Sequence, residues 1–80
     1  MKTVTLMYFA QLGAQAGCSE EQFKTSAQTC TELFGELKHR HGWQLPVDRV
    51  RFACNDAFCA GGDAFSDGDV LAIMPPMSGG

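Results

Sequence analysis

The residues best placed to do chemistry are the last six, Pro75-Pro76-Met77-Ser78-Gly79-Gly80. A carboxylate carried on two glycines has no neighbouring Cβ, so it can enter a channel too narrow for other side chains and be reached there by a reagent. Proline fixes φ near −65°, and two in succession favour an extended strut that holds the residues after them away from the body. Six residues at roughly 3.3 Å each extend at most about 20 Å, enough to reach into a partner's active site. Gly80 is therefore the candidate reacting residue, and Pro75, Pro76, Met77, Ser78 and Gly79 form the segment that would deliver it.

The other chemically capable side chains are four cysteines and two histidines. Structural zinc usually needs two close ligand pairs, whereas the nearest pair here is Cys54 and Cys59 in a C-x4-C spacing, with His39 and His41 far upstream. No metal site is expected. Cys18, Cys30, Cys54 and Cys59 read as reduced thiols acting as small apolar residues. Cys54 and Cys59 flank a turn and could face each other across a hairpin. His39 and His41 sit near a helix end, where the helix dipole alone accounts for them.

Eighty residues, 45% of them hydrophobic, bury about 60–65% of the unfolded surface, too little for both a core and a deep private active site. Function is expected at the surface or the terminus. A net charge of −3, with no basic cluster beyond Lys38-His39-Arg40-His41, argues against nucleic acid. No run approaches the 18 apolar residues of a membrane span, and Met1-Lys2-Thr3 leads straight into a strand pattern instead of a signal peptide, so a cytoplasmic protein is expected.

The elements that must position the tail are legible from periodicity. Lys2 to Ala10 alternates with period two, with Val4, Leu6 and Tyr8 on one side. Gln11 to Ser19, with Gly13 and Gly17, reads as a loop, and Glu20 to Thr25 as a strand returning beside the first. Thr29 and Glu32 form a capping-box pattern ahead of a helix through His41, whose core stripe is Leu33, Phe34 and Leu37 and whose stop is Gly42. After a loop through Pro46, Arg49 to Cys54, a turn at Asn55-Asp56 and Ala57 to Ala60 give a hairpin. The turn at Asp67-Gly68-Asp69 then launches the apolar strand Val70 to Met74. The order ββαβββ predicts an α+β fold: a mixed sheet on one main helix, with the last strand beside the first, as in a ubiquitin-like β-grasp. Residues 1–74 form the domain and 75–80 a flexible tail.

Over nearly its full length the chain resembles the small-subunit family of molybdopterin synthase, ubiquitin-like sulfur carriers. The resemblance rests on Leu6-Met7-Tyr8-Phe9-Ala10, on Cys54-Asn55 where the family tends to have Val-Asn, on Asp67-Gly68-Asp69-Val70, and on the Pro-Pro-Met-Ser-Gly-Gly terminus. Gly13 departs from it, because many members carry a basic residue just after the first strand. The resemblance implies that the Gly80 carboxylate is adenylated by an E1-like, ATP-dependent enzyme and converted to a thiocarboxylate by a sulfur donor, a sulfurtransferase. It then gives sulfur to a cyclic pyranopterin precursor in the large subunit of a heterotetramer. Catalytic residues are expected on that large subunit, and no bound cofactor on this chain.

Strand parity suggests where partners dock. If Val4, Leu6 and Tyr8 face the helix, Met7 and Phe9 face outwards, and Met74 joins them opposite Leu71 and Ile73. Phe58 and Phe65 read as core. Three other readings share the fold: a thiamine-pathway sulfur carrier, a ubiquitin-like modifier that forms isopeptide bonds with lysines, and a plain binding module with an inert tail.

Overall fold

The structure is a computed structural model that describes residues 1–75, with the backbone alone at Gln11. Lys2–Tyr8 (β1) is a strand in which Val4, Leu6 and Tyr8 are buried, as the alternation predicts. Glu20–Thr25 (β2) returns antiparallel beside it, with Val4 opposite Phe23 and Leu6 opposite Glu21.

The expected loop between them is instead a short helix, Gln11–Ala16 (α1). Leu12, Ala14 and Ala16 favour helix, and the two glycines that suggested a loop serve it differently. Gly17 is its left-handed cap at φ 80°. At Gly13 a Cβ would stand 3.3 Å from the Tyr8 carbonyl oxygen and 3.4 Å from that of Cys18, so the bare Cα lets α1 close against the end of β1. The chain enters α1 by a tight turn in which the Leu12 N–H donates to the Phe9 carbonyl at 3.2 Å. Ala10 takes φ 53°, ψ −134° in that turn, close to the first central position of a type II′ turn, where glycine is usual. This turn ends β1 at Tyr8, two residues before the alternation suggested, and leaves Phe9 just beyond the strand.

Cys30–His41 (α2) is the main helix, with Cys30, Leu33, Phe34 and Leu37 buried. Thr29 Oγ1 accepts from the Glu32 N–H at 3.2 Å, as the capping pattern predicts. The reciprocal bond is shifted by one residue, with Glu32 Oε1 accepting from the Gln28 N–H at 2.8 Å. Gly42, at φ 70°, stops the helix. Pro46 leads into a 3₁₀ turn at Val47–Arg49, so the next strand, Arg51–Cys54 (β3), begins two residues later than expected. Asn55 and Asp56 both have positive φ, 51° and 73°, which makes a two-residue hairpin turn into Ala57–Cys59 (β4).

Val70–Met74 (β5) lies parallel to β1 and antiparallel to β3, giving the strand order β2-β1-β5-β3-β4. The last strand thus sits beside the first, in the α+β β-grasp arrangement that the element order predicts. The turn before β5 is tied to the start of β1: the Thr3 N–H donates to Asp67 Oδ1 at 2.7 Å and the Gly68 N–H to the Thr3 carbonyl at 2.8 Å. Val4, Leu6, Leu71 and Ile73 from the sheet close the core against Leu33, Phe34 and Leu37 of α2. Phe65 is buried with them, as expected.

Candidate functional site: the outer face of the sheet

Pairing register fixes which side chains share the face away from α2. Glu20, Met7, Ala72, Ala53 and Phe58 are successive cross-strand neighbours, one from each of β2, β1, β5, β3 and β4. Four inter-strand steps of about 4.8 Å make this row roughly 19 Å long. Two alanines at its centre, between Met7 and Phe58, leave a shallow trough with larger apolar groups on either side. Met74, opposite Arg51, lies one pleat further along the same face. Phe9 stands beside this end, its N–H donating to the Ile73 carbonyl at 3.2 Å.

Sequence reasoning selects Met7, Phe9 and Met74 for this surface. Met7 and Met74 are half-buried and Phe9 is 43% exposed, so the parity assignment agrees with their burial. Phe58 corrects the core assignment: it is 73% exposed. The signal that finds it is in the sequence. A two-residue turn at Asn55-Asp56 forces Cys54 opposite Ala57 and Ala53 opposite Phe58, and once Phe52 faces the core, Ala53 and Phe58 must face out. The same register rules out Cys54 facing Cys59, because Cys59 lies opposite Phe52.

Beneath the Phe9 end lies a polar anchor that sequence reasoning missed. Glu21 accepts hydrogen bonds from the Tyr8 hydroxyl and from His41 Nε2, the latter at 3.1 Å, joining the sheet edge to the last turn of α2. The His41 ring stacks on Trp43 at 5.1 Å, and Tyr8 meets Trp43 edge-on at 5.3 Å. Burial pushes the Glu21 carboxyl up, but the bonds from Tyr8 and His41 outweigh it and hold the group below the usual glutamate range. Burial, then the Glu21 bond and charge, push the Tyr8 phenol well above its ordinary value, so it remains a donor. His41 thus has a specific partner beyond the helix dipole.

Pro75, the last described residue, is buried and follows Met74 directly at the end of β5. Gly80, Gly79, Ser78, Met77 and Pro76 lie outside the described residues. Among the described residues no group of three or more His, Cys, Asp or Glu could hold a metal ion, and no helix is long and apolar enough to cross a membrane. The body offers a sheet face whose centre, Met7, Ala72, Ala53 and Phe58, is an apolar patch bordered by Glu20, Gln22 and Arg51.

A mixed five-stranded sheet with β5 at its centre, packed on one main helix, is the β-grasp fold of ubiquitin-like domains. The chain belongs to the ThiS family, which matches residues 6–80. It is 32% identical over 81 residues to the molybdopterin synthase sulfur carrier subunit of Chlamydomonas reinhardtii, covering 96% of this chain and 98% of that protein. Among solved structures it is similar to a putative molybdopterin converting factor, subunit 1, from Pyrococcus furiosus. The TM-score is 0.81 at 28% identity, over 96% of this chain and all of that one. It is also similar to SAMP1 of Haloferax volcanii, a small archaeal modifier protein, with a TM-score of 0.76 at 25% identity over 98% of this chain and 99% of that one.

Proposed function

We propose that the chain is the sulfur carrier subunit of a molybdopterin synthase, and that its outer sheet face docks the enzymes that charge and discharge Gly80. The observation that carries the reading is the buried Pro75 at the end of β5, beside the apolar row, in a chain whose relatives are named for this role. A docked partner would find the terminus always starting from the same place. Five residues beyond Pro75 span at most about 17 Å, which sets how deep a receiving site can lie.

The chemistry is dictated by the carboxylate. Direct attack by sulfur would place negative charge on negative charge, so the group must first be activated. An ATP-dependent adenylating enzyme joins the Gly80 carboxylate to the α-phosphate, releasing pyrophosphate, and sulfur from a sulfurtransferase then displaces AMP to leave a thiocarboxylate. The large subunit receives this group and transfers its sulfur to a pyranopterin precursor. The acids and bases of that step belong to the large subunit, and the present chain contributes position and a reactive sulfur.

Deleting Gly80, or adding one residue after it, should abolish sulfur transfer while moving the melting temperature by no more than about 2 °C, because the last few residues of a domain usually contribute little to its stability. Intact mass gives the direct check: the charged chain is heavier by ~16 Da at its C-terminal peptide, the exchange of oxygen for sulfur that activation permits. Full transfer by the truncated chain would end the terminal-carboxylate reading. The likeness to the Haloferax modifier supports a second use of the same activated terminus, isopeptide bonding to lysines. Lysine-linked conjugates in lysate, mapped to Gly80, would establish that use.

A further inference from the structure

We propose that Cys30 and Cys59 form a reversible intramolecular disulfide, a redox modification site independent of the terminal chemistry. Their sulfurs lie 3.8 Å apart, although 29 residues separate them in sequence. Bond formation requires the sulfurs to close to about 2.05 Å, and the backbone around them is already clamped for it. Close to each cysteine the two segments are held together: the Cys30 N–H donates to the Asp63 carbonyl at 3.2 Å, the Thr31 N–H to the Gly61 carbonyl at 2.8 Å, and Thr29 bridges to Ala64. Gly61 lies against the Thr31 side chain, close enough that a Cβ there would displace Thr31 Oγ1.

The two thiols have different surroundings. Cys59 is half-buried and lines an open groove of about 490 Å³ with Val47, Phe58 and Gly61, which admits a small oxidant. Cys30 is buried, and burial together with the Cys59 bond pushes its thiol up to about 12. Cys59 is therefore the sulfur that meets a peroxide first, and Cys30 the one that resolves it. Hydrogen peroxide converts the Cys59 thiol to a sulfenic acid and is reduced to water. The Cys30 sulfur then attacks the Cys59 sulfur, the S–O bond breaks, and a second water leaves, taking the Cys30 proton. Both sulfurs are oxidised, one peroxide is consumed, and a dithiol reverses the step by exchange. Cys54, the third thiol nearby, donates to Asp69 Oδ2 at 3.3 Å, which directs it away from this reaction.

The test uses the full chain, reduced and desalted, then treated with a small excess of hydrogen peroxide and mapped as alkylated peptides without reductant. The expected product joins the Cys30 and Cys59 peptides within one chain, with a loss of about 2 Da that dithiothreitol reverses. Cys18 and Cys54 should remain open to alkylation. Cys54→Ser should give the same link at a rate within about twofold, because Cys54 takes no part in the exchange. The proposal falls if Cys59 advances to sulfinic acid unlinked, if a Cys54–Cys59 or interchain bridge dominates, or if the link is lost in Cys54→Ser.

Discussion

One sheet carries two faces with opposite compositions. Towards α2, Val4, Leu6, Tyr8, Phe52, Leu71 and Ile73 are all buried, and each is a large side chain packed into one core. On the other side the corresponding row has alanine at its two central positions, Met7 flanking them, and a phenylalanine exposed at the far end. Alternation within a strand lets the inner face be chosen for close packing and the outer one for a partner, with little compromise between them. If the outer face docks partners as proposed above, stability and recognition are separable here at single-residue resolution, which mutations can break or sharpen.

The largest effect is expected on the inner face. Leu37→Ala removes a fully buried side chain against the sheet and should lower stability by about 3–4 kcal/mol, read as a reduced denaturation midpoint. If the loss were below about 1 kcal/mol, the packing asymmetry between the faces would not hold. On the outer face, Phe58→Asp should leave the midpoint within about 0.5 kcal/mol yet weaken binding to the large subunit about tenfold or more, measured by titration calorimetry. Unfolding by this substitution would return Phe58 to the core. Unchanged binding would shrink the docking surface to the Phe9–Met74 end.

The smallest effect concerns the anchor that joins the two faces at their border. The folded state holds the Glu21 carboxyl below its ordinary value of 4.5, so the ionised form favours folding. Its contribution is complete above that value and is lost as pH falls through the lower folded one. Between about pH 5 and pH 3 the wild type should therefore lose a few degrees of melting temperature more than Glu21→Gln. Parallel melting curves for the two proteins would remove the anchor from the sources of stability.

Much of this division is legible in the sequence. The alternation of β1, the Thr29 cap, the Gly42 stop and the Asn55-Asp56 turn are local signals, and each appears where local chemistry places it. The features that escape depend on contacts remote in sequence. Gly13 looks like a loop residue because its reason, the Tyr8 carbonyl against it, is tertiary. Phe9 reads as a strand residue because nothing local announces that Ala10 adopts a glycine-like turn. Hydrophobicity alone places Phe58 in the core, where register is the stronger guide. Glu21, Tyr8 and His41 come from β2, β1 and α2, and no spacing rule links them. The terminal motif is legible because its chemistry requires no fold, only a place from which to leave.

The parallel pairing of β1 with β5 also determines how the protein can be handled. Both strands run towards the same end of the sheet, and Tyr8 pairs with Ile73, so exposed Met1 lies at the opposite end from Pro75, about 30 Å away at nine strand rises of roughly 3.3 Å. A dye, affinity handle or fused domain attached at Met1 is held clear of both the apolar row and the terminus. The same group added after Gly80 would block the carboxylate to which the proposed function assigns the chemistry, so the first residue is the better of the two ends for a label.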